Sequence, residues 1–425
     1  MNLLKELEWR GMIQNMMPGT EAQLQKEMTT AYIGFDPTAD SLHIGSLVQI
    51  ILLIHLQKAG HKPIALVGGA TGMIGDPSMK NDERNLLDEH QLKVNLEGIQ
   101  KQLEKFLDFD KAKKNAAEIL NNYDWFKNIS FIQFLRETGK HITVNYMMAK
   151  DSVKKRIESD TGISYTEFAY QLMQGYDFFW LYENKNCKLQ MGGSDQWGNI
   201  VTGTELIRKK TGGEAFAFTC PLITKADGGK FGKTETGNIW LDADKTSPYH
   251  FYQFWLNASD EDAKKWIRIF TFLDKEIIEK IIVAHDANAA LRIVQKKLAI
   301  EVTRFVHGED ALQKAEETTE KLFAAKNASA ESLSLDDLEK MEGIVKTNFD
   351  KAQLNKGVDI ISFLSETTIF PSKSEAKKMI QNGGISINRK KCDALQAIIN
   401  NSFLLHEKYI LVQKGKKNYF LVEIK

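Results

Sequence analysis

Hydrophobic and polar positions follow two different periods in the first part of the chain. Short runs of β-branched and aromatic residues predict strands, and longer segments with apolar residues three and four positions apart predict helices between them. The strands are predicted at Thr30–Phe35, Pro63–Val67, Lys188–Met191 and Phe216–Thr224. The helices are predicted at Ile44–Ala59, Leu86–Leu107 and Thr166–Glu183. This alternation predicts an α/β fold, a parallel sheet with helices on both faces and ligands at the carboxyl ends of the strands.

From about Thr246 onward the pattern changes to helices that follow one another without strands. They are predicted at Pro248–Leu256, Asp260–Phe272, Asp274–Asp286, Ala289–Val306 and Asp310–Ala325. The chain is thus predicted to comprise an α/β domain at 1–246, a helical domain at 247–325, a linker at 326–357 and a small α/β module at 358–425.

Composition is typical of a globular protein. Of the 425 residues, 43% are hydrophobic and 26% are charged, which are ordinary values. No apolar run reaches the roughly 18 residues that a membrane span needs, and the charged N-terminus does not resemble a secretory signal. Because Cys187, Cys220 and Cys392 are far apart in the sequence, we expect no disulfide framework, no zinc site and a cytoplasmic location.

Charge is balanced overall but unevenly distributed. The chain has 56 basic and 56 acidic residues. Residues 358–425 contain 11 Lys or Arg and 6 Asp or Glu, a net charge of +5, which leaves −5 on the remainder. A basic module on an acidic body favours contact with a polyanion, although a solvated lysine-rich surface has the same composition.

The segment 32–46 is the most informative part of the sequence. It predicts a strand end, a proline turn and a helix that begins near Leu42 with Ser41 as its cap. The unpaired N–H groups and the positive dipole end of a first helical turn form an anion site. Thr38 and His43 add a hydroxyl and an imidazole, so the segment predicts phosphate binding.

This segment resembles the first signature of class I aminoacyl-tRNA synthetases, His-x-Gly-His. His43 and Gly45 match it, and Ser46 stands where the signature has its second histidine. The longer string from Tyr32 onward is similar to bacterial tyrosyl-tRNA synthetases. The resemblance implies that Thr38 and His43 act on the phosphates of ATP and that Gly45 and Ser46 contact the nucleotide.

The glycine-rich segment 228–234 carries two lysines. A P-loop would need glycine at position 227, where the chain has Asp227, so the spacing argues against that motif and against a P-loop kinase. The segment instead resembles the second class I signature in its Lys-Phe-Gly-Lys-Thr form. The resemblance places Lys230, Lys233 and Thr234 at the phosphates of ATP, where lysines act as compact point charges.

The helix predicted at Thr166–Glu183 carries three regularly spaced polar side chains. Tyr170, Gln174 and Asp177 are spaced by four and three residues, so they share one face. In the resembled tyrosyl-tRNA synthetases the matching Tyr and Gln bind the ammonium group of the substrate tyrosine. The matching Asp, together with the tyrosine at the position of Tyr32, binds the substrate phenol.

Two further loops follow predicted strands and match the same family. The resemblance assigns Asp76 to the substrate ammonium, Lys80 and Arg84 to the departing pyrophosphate, Gly193 and Asp195 to the ribose of ATP, and Gln196 to the tyrosine carboxylate.

The terminal module resembles an S4-type RNA-binding domain, most clearly over residues 372–391. A helix, a glycine turn and a basic loop make a phosphate-facing surface there, and structured RNA is recognised largely through its shape and backbone. The residues predicted to contact RNA are Lys377, Lys378, Arg389, Lys390 and Lys391.

Over the whole chain the resemblance implies a tyrosine–tRNA ligase. Its parts would be a doubly wound, Rossmann-like catalytic domain, a helical anticodon-recognition domain and an S4-like domain. Such an enzyme activates L-tyrosine with ATP, which carries its own Mg²⁺, and transfers the tyrosine to the 3′-terminal adenosine of tRNA(Tyr). The family implies a homodimer, and we expect no metal site built from protein ligands.

Two alternatives stay open at this point. A tryptophan-specific relative would have no need of the pair Tyr32 and Asp177. A non-catalytic RNA-binding protein on the same scaffold would have no need of the lysines in segment 228–234.

Overall fold

A computed structural model of the chain describes residues 2–76, 88–158, 162–229, 231–234, 237–323, 330–341, 343–415 and 418–425. The chain forms two compact units. The larger unit comprises Met1–Asp242 and Ser259–Val294, and the smaller unit comprises Ala243–Ala258 and Gln295–Lys425. Within the described ranges, no helix is long and apolar enough to cross a membrane.

Strands and helices are numbered in chain order. The strands are β1 (Asn15–Met16), β2 (Thr30–Phe35), β3 (Lys62–Val67), β4 (Glu118–Asn121), β5 (Cys187–Gly193), β6 (Phe216–Cys220), β7 (Lys233–Thr234), β8 (Gly237–Asn238), β9 (Val345–Phe349), β10 (Val358–Asp359), β11 (Ile385–Ile387), β12 (Lys390–Lys391), β13 (Ile398–Ile399), β14 (Tyr409–Lys414) and β15 (Asn418–Ile424). The helices are α1 (Leu3–Trp9), α2 (Thr20–Lys26), α3 (Ile44–Lys58), α4 (Thr71–Ile74), α5 (Glu89–Phe106), α6 (Tyr123–Phe126), α7 (Phe131–Glu137), α8 (Val144–Met148), α9 (Asp151–Ile157), α10 (Tyr165–Lys185), α11 (Trp197–Thr211), α12 (Pro248–Leu256), α13 (Asp260–Phe270), α14 (Lys275–Ala287), α15 (Ile293–His307), α16 (Glu309–Phe323), α17 (Leu335–Lys340), α18 (Lys351–Lys356), α19 (Ile360–Glu366) and α20 (Lys373–Gln381).

The larger unit is built on a six-stranded sheet in the order β1-β6-β5-β2-β3-β4. Five strands are parallel, and β1 pairs antiparallel with β6 at one edge. The chain runs from β2 through β3 to β4 and then returns to β5 on the other side of β2, so the strand order reverses between β2 and β5. The doubly wound, Rossmann-like prediction is therefore confirmed, and the reversal is where such sheets bind ligands.

Helix α3 begins at Ile44, as the hydrophobic pattern predicts, and not near Leu42, where the turn and cap residues predict its start. The residues before Ile44 are not helical because they pair with a neighbouring segment. The N–H of Ile44 donates to the carbonyl of Ile239 at 3.0 Å, and the N–H of Leu241 donates to the carbonyl of Leu42 at 2.8 Å. The predicted cap Ser41 is wrong, since its hydroxyl donates to the carbonyl of Leu42 at 2.8 Å.

The helical stretch predicted at 247–325 is divided between the two units. Helices α13 and α14 belong to the larger unit, whereas α12, α16 and almost all of α15 belong to the smaller one. Helix α13 buries Trp266, Ile267 and Phe270. The rings of Trp266 and Phe270 pack against the ring of Phe231, at centroid distances of 5.0 and 5.2 Å.

The smaller unit contains a five-stranded sheet in the order β12-β11-β14-β15-β9. Helices α19 and α20 pack on it through a core that includes Phe363, Ile380 and Val412. Strand β9 pairs in parallel with β15, and Phe349 at its end belongs to the same core. The segment predicted as a linker at 326–357 therefore contributes a strand to this sheet and also contains α17 and α18.

Candidate functional site

A cavity of about 410 Å³ opens where the strand order reverses. The carboxyl ends of β2 and β5, the turn between β2 and α3, and α10 supply its walls. The sequence-predicted residues that line it are Tyr32, Thr38, His43, Gly45, Ser46, Asp76, Tyr170, Gln174, Asp177, Gly193, Asp195 and Gln196. The structure thus gathers at one site residues that the sequence placed in separate motifs.

Asp177 is a buried carboxyl group in the wall of this cavity, with 2% of its surface exposed. It accepts hydrogen bonds from Nδ2 of Asn122 at 3.0 Å and from Nε1 of Trp125 at 2.9 Å. Burial raises the pKa of Asp177 to about 8, against the lowering effect of these two bonds. Within the described part of the chain each oxygen accepts one of these two bonds, so both keep a lone pair for a ligand.

Tyr32 lines the cavity together with Asp177. Among the described residues its buried hydroxyl has no hydrogen-bond partner, and its ring lies 5.4 Å from that of Phe178. Burial raises the pKa of the hydroxyl, and the charge of Asp177 adds to the shift. A buried hydroxyl without a partner costs roughly 1–3 kcal/mol, so this position is suited to a ligand that brings a hydroxyl of its own.

Asp36 links α10 to the loop after β3. It accepts hydrogen bonds from the hydroxyls of Tyr170 and Thr71, both at 2.9 Å. Nδ2 of Asn122 donates to the hydroxyl of Thr71 at 3.1 Å and, as described above, to Asp177. One connected network therefore runs along the cavity wall from Tyr170 to Asp177 and fixes the orientation of both side chains.

Sequence reasoning missed four members of this network: Asp36, Thr71, Asn122 and Trp125. Two signals were available. Asp36 directly follows β2 within the segment already singled out, and Asn122 directly follows β4, so both lie at the carboxyl edge of the sheet. No comparable signal marked Trp125, which reaches Asp177 from α6 only because of the tertiary fold.

A second polar group lies beyond β5. Nε2 of Gln196 donates to Oδ2 of Asp76 at 2.7 Å and to Oδ2 of Asp195 at 3.2 Å. Burial raises the pKa of Asp195, and the charge of Asp76 adds to this. Together with Asp36, these carboxyl groups line the cavity and can accept hydrogen bonds from a ligand that carries an ammonium group.

His43 caps α3 with its own side chain. Its Nδ1 accepts a hydrogen bond from the N–H of Gly45 at 3.0 Å, so the proton of the neutral ring is on Nε2. Burial lowers the pKa of His43, and the charge of Lys233 lowers it further. His43 is therefore a neutral hydrogen-bond donor at neutral pH, and Gly45 allows this because a Cβ there would lie 2.6 Å from the imidazole.

The predicted anion site on backbone N–H groups is wrong for the first residues of this turn. The N–H of Ile44 donates to Ile239, that of Gly45 to His43, and that of Ser46 to the carbonyl of His43 at 2.9 Å. All three are already paired within the protein, so these backbone groups offer no free donor to an anion.

The glycine-rich loop that carries Lys233 lies beside the turn between β2 and α3. Gly232 has φ of 79°, and a Cβ there would lie 2.9 Å from Ile44, so the loop backbone packs directly on the start of α3. Lys233 is exposed, and its charge acts on His43. The predicted residues Lys80, Arg84 and Lys230 lie outside the described residues, and Thr234 is described only by its backbone in β7.

Helix α5 holds the turn between β2 and α3 from outside the cavity. Nδ2 of Asn95 donates to the carbonyl of Pro37 at 2.9 Å, and Oε1 of Gln102 accepts from the N–H of Leu42 at 2.8 Å. Between them, a Cβ on Gly98 would lie 2.0 Å from the carbonyl oxygen of Asp40. The spacing of three and four puts these residues on one helix face, a supporting role that the sequence reasoning did not find.

The basic residues predicted to contact RNA lie on and after α20. Lys377, Lys378, Lys390 and Lys391 are exposed. Arg389 differs from them, because it is half-buried in the turn between β11 and β12 and donates to the carbonyl of Lys321 at 2.5 Å. The four lysines therefore present charge to solvent, whereas Arg389 is engaged with the end of α16.

Comparison of the sequence with known protein families identifies the family of this chain. The family model for class I tRNA synthetases (W and Y) matches residues 24–324. The chain belongs to the class I tRNA synthetases. A second model, the SYY-like C-terminal domain of tyrosine–tRNA ligases, matches residues 340–422 of this synthetase.

Several tyrosine–tRNA ligases are similar in sequence to this class I synthetase over nearly its whole length. Tyrosine–tRNA ligases from Parabacteroides distasonis and Flavobacterium johnsoniae are 59% and 58% identical to it, over 99% and 100% of this chain and 99% of theirs. Among solved structures, a C-terminally truncated mitochondrial tyrosyl-tRNA synthetase from Aspergillus nidulans aligns with a TM-score of 0.68 at 28% identity, over 76% of this chain and 94% of the other.

Proposed function

We propose that the chain is a tyrosine–tRNA ligase that activates L-tyrosine with ATP and transfers it to tRNA(Tyr). The observation that carries this proposal is the pair formed by Tyr32 and Asp177 in the cavity of a class I synthetase. A partnerless buried hydroxyl and a carboxyl with spare lone pairs match a phenol, and the full-length relatives named tyrosine–tRNA ligase support the same substrate.

The network of acidic groups supports the orientation of the substrate. With its phenol at Tyr32 and Asp177, the ammonium group of tyrosine would be held by Tyr170, Gln174 and Asp76. Gln196 would then lie near the carboxylate, which is ionised at neutral pH because its pKa is about 3.5. The carboxylate therefore needs no general base to attack the α-phosphorus of ATP.

Catalysis then depends on positioning the reactants and stabilising the charge of the leaving pyrophosphate. Thr38, the Nε2–H of His43 and the ammonium of Lys233 would act on the phosphates. Lys80, Arg84, Lys230 and Thr234 are proposed for the same role on the basis of the resemblance. Gly45, Ser46, Gly193 and Asp195 would hold the nucleoside part of ATP, which is taken as its Mg²⁺ complex.

Two further properties belong to the proposal. The larger unit exposes apolar side chains on two helices that follow one another in the chain, Phe131 and Ile132 on α7 and Val144 on α8, each about 60% exposed (62%, 63% and 58%). We call these three side chains the α7–α8 face. Apolar surface of this kind marks protein interfaces, which supports a homodimer, and the free cysteines support a reducing cytoplasm.

The decisive experiment measures amino-acid-dependent ATP–pyrophosphate exchange with tyrosine, phenylalanine and tryptophan in parallel. Exchange with tyrosine alone is expected. Preference for tryptophan would establish the tryptophan-specific alternative, and absence of exchange with all three would establish a non-catalytic scaffold.

A further inference from the structure

Helix α13 carries a stripe of three side chains that face the glycine-rich loop with Lys233. Asp262, Trp266 and Phe270 are spaced by four residues and therefore share one helix face. They are 7%, 2% and 1% exposed. We call them the α13 stripe. The loop they contact, whose described residues are 225–229 and 231–234, includes Lys233.

The carboxyl group of Asp262 holds the first part of the loop. Its Oδ1 accepts a hydrogen bond from the N–H of Ala226 at 2.9 Å, and its Oδ2 accepts from the hydroxyl of Ser259 at 2.8 Å. Ser259 also caps α13. The loop is thus joined to the N-terminal end of the helix through a carboxylate whose two oxygens are both in use.

The two aromatic members of the stripe hold the second part of the loop. The ring of Phe231 lies edge-on to Trp266 at a centroid distance of 5.0 Å and is stacked on Phe270 at 5.2 Å. Phe231 is also part of the cavity lining. Two residues after this ring, the chain reaches Lys233.

Between the two attachments the loop closes a tight turn of its own. The N–H of Gly228 donates to the carbonyl of Lys225 at 3.0 Å, and the N–H of Lys225 donates to the carbonyl of Gly229 at 3.1 Å. On the far side, the carbonyl of Gly232 accepts from the N–H of Ile239 at 3.0 Å. Before Lys233, the described part of the loop is therefore held by α13 at Ala226 and Phe231, and the carbonyl of Gly232 is held by Ile239.

We propose that the α13 stripe positions Lys233 for the leaving phosphates, acting through Phe231 and Ala226. Asp262, Trp266 and Phe270 are positioning residues, and none of them contacts substrate in this role. The proposal rests on the proposed function, because it assumes that Lys233 acts in the adenylation step. A displacement of about 1 Å in a catalytic group is enough to cost roughly 100-fold in rate.

The test is a double-mutant cycle between Phe231→Ala and Lys233→Ala, with tyrosine-dependent pyrophosphate exchange as the readout. In the wild-type background, Phe231→Ala is expected to lower kcat by about 10- to 100-fold and to change the KM for tyrosine by less than about 2-fold. In the Lys233→Ala background the same change should cost less than about 2-fold, because the residue acts through the lysine.

Conservative variants and a packing control complete the design. Phe231→Leu and Asp262→Asn are expected to keep a rate close to that of the wild type, whereas Phe231→Ala and Asp262→Ala are expected to lose most of it. Ile278→Ala in α14 removes a fully buried side chain and should lower the melting temperature without lowering kcat.

Three results would overturn the proposal: a normal kcat in Phe231→Ala, an equal loss in both backgrounds, or a comparable kcat loss in Ile278→Ala. Failure of the proposed function is separate, since the wild-type protein would then show no tyrosine-dependent exchange.

Discussion

The side chains of Asn122 and Trp125 donate hydrogen bonds to Asp177 and hold its carboxyl group in place. A carboxyl group positioned in this way can distinguish a phenol from a phenyl ring, because a phenylalanine substrate would leave it and the hydroxyl of Tyr32 without a ligand partner.

We expect Asp177→Ala to reduce kcat/KM for tyrosine by about 10- to 100-fold, in line with roughly 1–3 kcal/mol for a lost buried hydrogen bond. The ratio of tyrosine to phenylalanine activation should fall by a similar factor, measured by pyrophosphate exchange. An unchanged ratio would contradict the pocket assignment. Gln313→Lys, at an exposed position of α16, is the control and should leave kcat/KM for tyrosine unchanged.

His55 in α3 is a buried histidine outside the cavity. It is 2% exposed, and its ring nitrogens have no hydrogen-bond partner among the described residues. Burial, assisted by the charges of Arg10 and Lys58, lowers the pKa of His55 to about 3. The unfolded chain has the usual value of about 6.5, so the unfolded state binds the proton more readily.

The stability contributed by neutral His55 is therefore complete above about pH 6.5 and is lost as the pH falls towards 3. We expect the wild type to lose about 2–3 kcal/mol more unfolding free energy than His55→Phe between pH 6.5 and pH 4. Phenylalanine keeps the ring contact with Phe272. Urea denaturation at both pH values measures this difference, and parallel losses in the two proteins would contradict the assignment.

At this scale the sequence predicted residues that carry recognisable chemistry within a motif. Tyr32, Tyr170, Gln174 and Asp177 were found because their spacing and resemblance are local properties of the chain. Trp125 and Thr71 were not, since their partners are distant in sequence and their roles exist only once β3, β4 and α10 are packed together.

Among the elements, the turn between β2 and α3 depends most on its neighbours. Helix α5 supports it with Asn95, Gln102 and the close approach of Gly98 to Asp40. A side chain at position 98 has to displace backbone rather than the end of a flexible side chain.

We expect Gly98→Ala to destabilise the protein by about 1–3 kcal/mol, the usual cost of overpacking, and to lower kcat for exchange by about 10-fold because Thr38 and His43 lie on the displaced turn. Gly139→Ala is the matched control, since a Cβ there has its nearest neighbour at 3.6 Å. Chemical denaturation and exchange kinetics measure both effects, and similar results for the two variants would contradict this role.

Element positions were predictable wherever local pattern alone determines them. Strand β2 and helix α12 have the predicted bounds. Strand β6 ends at Cys220 rather than at 224 because Pro221 has no N–H for the ladder. Helix α3 begins at Ile44 as its apolar pattern predicts, whereas the start near Leu42 predicted from the turn was wrong, because the preceding residues pair with 239–241, a partner that no local pattern reveals.

On the scale of the whole molecule, the smaller unit presents four exposed lysines on and after α20. We expect replacement of Lys377, Lys378, Lys390 and Lys391 by alanine to raise the KM for tRNA by about 10-fold and to flatten its salt dependence, because phosphate contacts release counterions. Pyrophosphate exchange should stay unchanged, since it does not involve tRNA. To control for net charge, the pair Lys377→Ala and Lys378→Ala is compared with Lys351→Ala and Lys356→Ala of α18, which removes the same two charges elsewhere. An unaltered KM in the fourfold variant would exclude this surface.

The α7–α8 face gives the corresponding expectation for assembly. Phe131→Glu combined with Val144→Glu should convert a dimer into a monomer, because buried charges without partners disfavour an interface. Sedimentation equilibrium measures the change. Val283→Glu, at an exposed valine of α14 (70%), should leave the dimer intact, and a dimeric double variant would refute the proposed interface.

The hydrogen bonds at the start of α3 also bear on how the site releases its product. Those three backbone N–H groups are already paired within the protein. Under the proposed function, a phosphate at this turn would therefore be held by the imidazole of His43 and by lysine side chains, and the attraction of exposed charges weakens as salt enters. We thus expect pyrophosphate to leave more readily at higher ionic strength, while the hydrogen bonds that fix the start of α3 stay formed.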